Sequence, residues 1–600
     1  MTKSSSDHLI TDCPSSADHE NHTPTRNTIT QRLAEFSILT EALEYAATGV
    51  TGYNFYDARG NLRAALPYHE LLTRAKASAR RLLAKGFKKG DRLALIADTR
   101  PEFIELFFAC RYAGLAPFAM PVPVNIGSHD IYVKHLRAML ESGQAVAALA
   151  SDDYIHLLKE ASDTSPDIQW LGTFAQFNEL PESAQPLHEA HPDDVAYLQF
   201  TSGSTRKPRA VVITERALMN NLKGIVCHGL QIGPDDRGAS WLPFYHDMGL
   251  VGLLLSPMVA QISTDYLPTH DFAVRPMQWL KLISRNRCTI AFGQPFGYKL
   301  CAMRARSSDL EKLDLSCWRA AGVGAELIRS EILQQFADKF AVCGFDIKAF
   351  LPCYGLAEAT LAVTFADLNQ TFDNVMVDTQ TLIEKGIALR IQSESRKANE
   401  FINCGRPLPG YTVTVVDDQG QALPDLRIGR VLIDGPSLME GYLNNPEETH
   451  RALLPNGLLD SGDMGFLHEG SLYITGRRTD VIIVNGRNIR AQDVEELAEQ
   501  QPEVRTRETS AFSIQDERDN TLVVVVIESR LNAVADQQAL ITRLQRQVYE
   551  AFGVRCLVEL VPPHTLPRTS SGKLSRSAAR VGYLQRREHE VKSLAMAAER

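Results

Sequence analysis

"LQFTSGSTRKPRAVVIT", residues 198–214, sets five hydroxyl or glycine residues between two apolar runs and crowds three cations behind them. A buried strand ending at Phe200 delivers Thr201, Ser202, Gly203, Ser204 and Thr205 into a loop. Small residues let backbone come close to a ligand, and successive N–H groups with hydroxyls make an anion-binding concavity. Arg206, Lys207 and Arg209 add positive charge, so a polyphosphate is the guest this loop suits. A solvated Ser/Thr/Gly turn is the plain alternative from these residues alone. A Walker A loop is excluded by spacing, here and at "SSGKLS" (570–575), where Pro567 stands in place of the first glycine.

Working outward, "LALIA" (93–97) and "VAALA" (146–150) alternate with the helical "PEFIELFFACRYAG" (101–114). That alternation predicts βα units on a parallel sheet. A second, similar cycle is expected from about 191 to 360. Past 400, "YTVTVVDDQGQAL" and "RVLIDG" predict a small antiparallel or barrel-like subdomain. Residues 471–500 read as strand, polar turn, strand, Asn485-Gly486 hairpin and helix. "TLVVVVIES" (521–529) predicts a buried strand and 535–552 an amphipathic helix.

With 600 residues the chain exceeds one ordinary core. The expected division is a disordered tail over 1–28, a large domain over 29–478 and a small C-terminal domain over 479–600. The net charge of −9 argues against general nucleic-acid binding. Ten scattered cysteines without CxxC pairs suit reduced thiols in the cytoplasm. The first 28 residues lack the apolar stretch of a secretory signal. Met248–Thr264 falls short of a bilayer span, so a buried helix and no stable membrane insertion are expected.

Further motifs follow in order: "WLPFYHDMGL" (241–250), "GAE" (324–326), "YGLAE" (354–358), "SGDMG" (461–465), "GRRTD" (476–480), "NGRNI" (485–489) and "PRTSSGK" (567–573). Together with "TSGSTRKPR" they resemble the adenylate-forming superfamily of acyl-CoA synthetases, luciferases and nonribosomal adenylation domains. Within it, "WLPxxHDMGL" followed by "PCYGLAEATLAVT" (352–364), with a long polar stretch between Thr364 and Asn403, resembles the fatty acyl-AMP ligases. The resemblance implies an α/β fold: a large N-terminal domain of two parallel-sheet αβ subdomains plus a small β subdomain, then a smaller mobile α+β C-terminal domain.

It also implies an activity. ATP activates a medium- to long-chain fatty acid as acyl-AMP, with pyrophosphate released and the acyl group passed to the phosphopantetheine thiol of an acyl carrier protein in trans. By this resemblance Thr201–Thr205 wrap the β- and γ-phosphates, with Lys207 and Arg209 helping. Pro208-Arg209-Ala210 replaces the usual Pro-Lys-Gly, and an arginine forks its donors differently from a lysine. Glu358, with the Thr201 hydroxyl or a water, is matched to Mg²⁺. Gly324, Ala325, Glu326, Tyr354 and Gly355 are matched to the adenine site, Asp463 to the ribose hydroxyls, and Arg477 to the ribose or α-phosphate. His246 falls at the mouth of the acyl pocket; beside Asp247 it also reads as half of a dyad or as a metal ligand. Lys573 is matched to charge neutralisation at the α-phosphate. Thr479 falls where the family has its hinge Asp or Lys, and Arg490-Ala491 where an aromatic and a proline are common. The rival readings are a fatty acid–CoA ligase and a non-catalytic nucleotide-binding scaffold. Phe292, Phe296, Tyr298 and Leu351 could line an acyl tunnel or pack the core.

Overall fold

The computed structural model describes residues 29–123, 129–163, 167–201, 208–392, 398–484, 487–515, 521–569 and 573–598. Ser202–Thr205 and Lys207, the Asn485-Gly486 pair and the tail over 1–28 therefore lie outside the described residues.

Two large sheets share one continuous core. The seven-stranded sheet runs, edge to edge, Gly441–Tyr442, Arg209–Thr214, Val195–Thr201, Ala116–Met120, Arg92–Ile96, Ala147–Ala150 and Trp170–Thr173. From Val195–Thr201 to Trp170–Thr173 neighbouring strands are parallel. Ala147–Ala150 is buried at every position, as a strand covered on both faces must be. The helix Pro101–Ala113 begins on proline and stops at Gly114, whose φ of +77° reverses the chain into the next strand.

The nine-stranded sheet centres on Phe350–Gly355, Ala320–Val323, Ile290–Gly293, Arg237–Ser240, Ser263–Tyr266 and Gly52–Tyr56, all parallel. The expected second βα cycle from residue 191 is thus corrected. Val195–Thr201 and Arg209–Thr214 return to the first sheet as an antiparallel pair, while Gly52–Tyr56 joins the second. Period alone cannot tell to which sheet a strand returns.

The 248–264 segment also departs from the single helix expected. A π-helical stretch Met248–Leu255 runs into a short helix Ser256–Val259, Gln261 turns the chain at φ +54°, and Ser263–Tyr266 is a strand.

Thr412–Val416, Gly429–Asp434, Leu459–His468 and Ser471–Arg477 form the expected antiparallel β unit. The stretch between Thr364 and Asn403 carries its own strand pair, Asn374–Asp378 with Ala398–Ile402, around the helix Thr379–Lys385. Val375, Val377, Leu382 and Phe401 pack there against Phe466 and Tyr473.

Beyond Val481 lies an α+β lobe. Val481–Val484 pairs with Arg487–Arg490, and Thr509–Gln515, Thr521–Glu528 and Cys556–Val561 form a three-stranded sheet. Val523, Val525 and Ile527 face the helices Ala491–Glu499 and Val534–Phe552, whereas Val524 and Val526 face Phe512, Ala579 and Tyr583. Side chains alternate along a strand, so an unbroken valine run is what two-sided burial requires. Among the described residues no helix is long and apolar enough to cross a membrane, and the nine cysteines there are all free.

Candidate active site

The ends of strands from both large sheets, together with the small lobe, enclose a cavity of about 190 Å³. Its lining includes apolar residues, Ile225, Leu230, Met248, Gly252, Phe292, Leu361 and Phe365, and polar or charged ones, Thr201, Arg209, His246, Glu358, Arg477 and Lys573. Two π-helical stretches, Gly224–Gly229 and Met248–Leu255, supply Ile225, Met248 and Gly252 to that lining, and such stretches often mark functional sites. Of the aromatic candidates, Phe292 lines the cavity, Tyr298 and Leu351 are fully buried in the core, and Phe296 lies under the Arg507 guanidinium.

Glu358 sits on the one-turn helix Ala357–Ala359, just after the strand Phe350–Gly355. Gly355 is required there because a Cβ would lie 1.8 Å from Leu361 O. Tyr442 Oη donates to Glu358 Oε1 at 2.7 Å, and Arg209 lies 3.9 Å from the same oxygen. Arg209 also bonds Glu448 at 3.1 Å and covers the Tyr442 ring at 4.6 Å. Burial, with the Glu358 charge, pushes the Tyr442 hydroxyl far above its ordinary pKa, so it remains a donor. Among the described residues of this group, Thr201 Oγ1 and Arg209 Nε are buried without a hydrogen-bond partner. Unsatisfied buried polar atoms are costly, and both residues belong to the cavity lining. Tyr442 and Glu448 escape linear reading, because only the pairing of Tyr442 with Val211 brings them beside Arg209.

Asp463 and Arg477 stand opposite each other on paired strands. Arg477 Nε is 3.4 Å from Asp463 Oδ1, while Tyr354 Oη donates to Oδ2 at 2.8 Å. Burial raises the Asp463 pKa, and Arg477 and the Tyr354 bond recover only part of the shift. Gly324 allows close strand approach, since a Cβ would come within 2.9 Å of Cys353 O. Ala325 follows at φ +65°, a left-handed conformation uncommon for a non-glycine residue.

The Ala325 carbonyl accepts a hydrogen bond from Lys573 Nζ, which reaches in from the small lobe. Burial draws the ammonium's pKa below the ordinary lysine value; Glu326 and Asp247 oppose that pull, and Arg477 and Arg507 reinforce it. The neighbouring Glu326 carboxylate is bound by Arg507, also from the small lobe, at 3.2 Å.

His246 Nδ1 lies 2.7 Å from Asp247 Oδ1, so the dyad arrangement forms. Burial would raise the Asp247 carboxyl, but His246 and the Met248 N–H bring it below its ordinary pKa. Among the described residues no three His, Cys, Asp or Glu side chains cluster as a metal cage. Thr479 lies in the short turn Arg478–Asp480 between the β unit and the small lobe, its hydroxyl 3.4 Å from Asp480 Oδ1.

A cavity lined by both apolar and charged side chains, with a lysine reaching into it from a second lobe, is a site for an amphiphilic, anionic ligand. The comparisons give the family: AMP-binding enzymes match residues 54–443, and the chain belongs to that family. It is 43% identical to a Caulobacter vibrioides protein provisionally assigned as an acyl-CoA synthetase, over 94% of this chain and 98% of that one. It is 32% identical to the medium-chain-fatty-acid–[acyl-carrier-protein] ligase JamA of Moorena producens, over 92% of this chain and 96% of that one. A solved structure from a study of fatty acyl-adenylate ligases of E. coli and L. pneumophila superposes with a TM-score of 0.89 at 44% identity, covering 93% of this chain and 100% of that one. The architecture is therefore the adenylate-forming fold.

Proposed function

We propose that the protein uses ATP to convert a medium- to long-chain fatty acid into its acyl-adenylate, then passes the acyl group to the phosphopantetheine thiol of an acyl carrier protein acting in trans. One observation carries this reading: a single cavity is lined both by apolar residues such as Ile225 and Phe365 and by Arg209, Arg477 and Lys573. An amphiphile with an anionic head fits such a cavity tail first.

Two anions must meet before anything reacts, so positioning and charge neutralisation carry the rate. A fatty carboxylate oxygen attacks the α-phosphorus; the new O–P bond forms as the bond to pyrophosphate breaks. Lys573 neutralises charge growing on the α-phosphate oxygens. Arg209 and Lys207, with Thr201–Thr205, hold the departing phosphates. Asp463 accepts from the ribose hydroxyls, Arg477 reinforces that hold, and Gly324–Glu326 with Tyr354 and Gly355 border the adenine. His246 orients the fatty carboxylate.

Glu358 and the partnerless Thr201 hydroxyl offer oxygen donors that suit Mg²⁺, which keeps most of its waters and shares phosphate oxygens. Bound with ATP, the ion would offset phosphate charge. Thr479 is the point about which the small lobe would turn between adenylation and transfer. Free cysteines accord with a cytoplasmic setting.

The test is ATP–pyrophosphate exchange across acids of increasing chain length, with Lys573→Ala as the comparison. Strong exchange with fatty acids, falling by about 100-fold or more in the variant, is expected. Equal exchange in both would remove Lys573 from the adenylation step, and no exchange with any acid would favour the scaffold reading. Thioester formation with carrier protein against free CoA decides the acceptor. The similarity to an assigned acyl-CoA synthetase makes CoA the competing outcome.

A further inference from the structure

The small lobe grips two neighbouring residues of the large one at the same time. Lys573 Nζ bonds the Ala325 carbonyl, and Arg507 Nη2 bonds the Glu326 carboxylate at 3.2 Å. Behind the interface the two cations are linked to each other. Arg568 Nη2 donates to Arg507 O at 2.7 Å. Arg568 then pairs with Leu574 across an isolated antiparallel bridge. Inside that bridge the Thr569 N–H donates to Lys573 O at 2.7 Å, and the Lys573 N–H to Thr569 Oγ1 at 3.2 Å. The contacts close a ring from Ala325 through Lys573, Arg568 and Arg507 to Glu326.

Arg507 is itself held in an uncommon conformation. Its φ is +66°, and its N–H donates to Glu499 Oε1 at 2.7 Å. Left-handed backbone at a non-glycine residue persists where its surroundings impose it. The guanidinium lies 4.6 Å from the Phe296 ring centroid, and beside it Lys299 Nζ donates to Thr506 Oγ1 at 2.9 Å. A planar fork that stacks on a ring while bonding a carboxylate is a property of arginine that lysine does not reproduce.

We infer that Arg507 is a positioning residue for adenylation: it docks the small lobe on Glu326 and Phe296 and, through Arg568 and Thr569, holds Lys573 in the cleft. The inference rests on the adenylation reading given above. Arg507 touches no substrate in this role. Its effect on rate comes from how well Lys573 is placed, and small misplacements of a catalytic group are costly.

The experiment is a double-mutant cycle on ATP–pyrophosphate exchange in the full chain. Arg507→Ala should lower kcat about tenfold while KM for ATP and for the acid stays within about twofold. Arg507→Lys should recover part of the loss. In a Lys573→Ala background, Arg507→Ala should cost less than about twofold, because the group it positions is gone. A tenfold loss in both backgrounds, or none in either, overturns the inference. Should Arg507→Ala not fold, Phe296→Leu removes the stacking surface, and the same background dependence is then required of a smaller loss. Exchange by the unaltered protein separates the two claims. Its absence overturns the adenylation reading, whereas its presence with an indifferent Arg507 variant overturns the docking role alone.

Discussion

At the scale of single residues, Lys573 works between opposed influences. Burial lowers its pKa, Glu326 and Asp247 raise it, and Arg477 and Arg507 lower it again, leaving it below the ordinary lysine value. If Lys573 neutralises phosphate as proposed, the cation is the active form, so adenylation should be complete below that depressed pKa and be lost as pH rises through it. A pH profile of pyrophosphate exchange at saturating substrates should show an alkaline fall at a pH below that of a free lysine. Lys573→Arg should abolish the fall, since a guanidinium stays charged, while lowering the plateau because its geometry differs. An identical fall in the variant would assign it to another group. Lys573, Asp463 and Glu358 were singled out through motifs that resemble a family's; the structure brings Lys573 and Glu358 to one cavity and pairs Asp463 with Arg477. Glu448, Tyr442 and Arg507 were not legible in the sequence, because each acts on a residue far away in the chain: 181 positions separate Arg507 from Glu326, and 239 separate Glu448 from Arg209.

At the scale of elements, the π-helical Met248–Leu255 supplies Met248 and Gly252 to the cavity lining. Its run of apolar residues contains Gly252, whose added Cβ would lie 3.3 Å from Leu361 Cδ2 and 3.9 Å from Met248 Cγ. A methyl group is nearly accommodated there, and a branched side chain would take space from the cavity. Gly252→Val should therefore reduce kcat/KM for the longest acids accepted by about tenfold or more, while shorter acids keep most of theirs. A methylene in an apolar pocket is worth about 1–3 kcal/mol. Measured kcat/KM against chain length should tilt; a uniform fall would place Gly252 away from the acyl tail. The same segment marks the limit of reading elements from pattern. One buried helix was expected over it, yet the structure places helical stretches and a left-handed turn within it and starts a strand at Ser263. Buried helices and strands are apolar on every side, so periodicity loses its power where burial is complete. The strands near 93–97 and 146–150 were legible because their short apolar runs alternate with longer stretches of helical period.

At the scale of the whole molecule, two cores meet across the cleft, and the small lobe's own integrity turns on Arg576. Its guanidinium binds both oxygens of Glu495, at 2.7 and 2.6 Å, and also bonds Asp480, which directly follows Thr479. Glu495 accepts a further bond from the Ala511 N–H at 2.9 Å, so the cluster ties the lobe's first helix, its sheet and the start of its last helix together. Burial raises the Glu495 carboxyl above its ordinary pKa, and Arg576 opposes the rise. Arg576→Met leaves that carboxylate buried without its counterion, a change expected to cost about 3–5 kcal/mol at neutral pH. The sign of the pH dependence follows. In the variant the folded-state pKa climbs further above the unfolded one, so the penalty shrinks as pH falls through it and the proton is taken up. Calorimetry should show the transition of the small lobe moved to lower temperature, with that of the large core little changed, and the gap between them narrowing in acid. A single transition shifting as one unit would mean instead that the contacts at Ala325 and Glu326 bind the two cores into one cooperative body, and that the rotation proposed for the small lobe would have to break them.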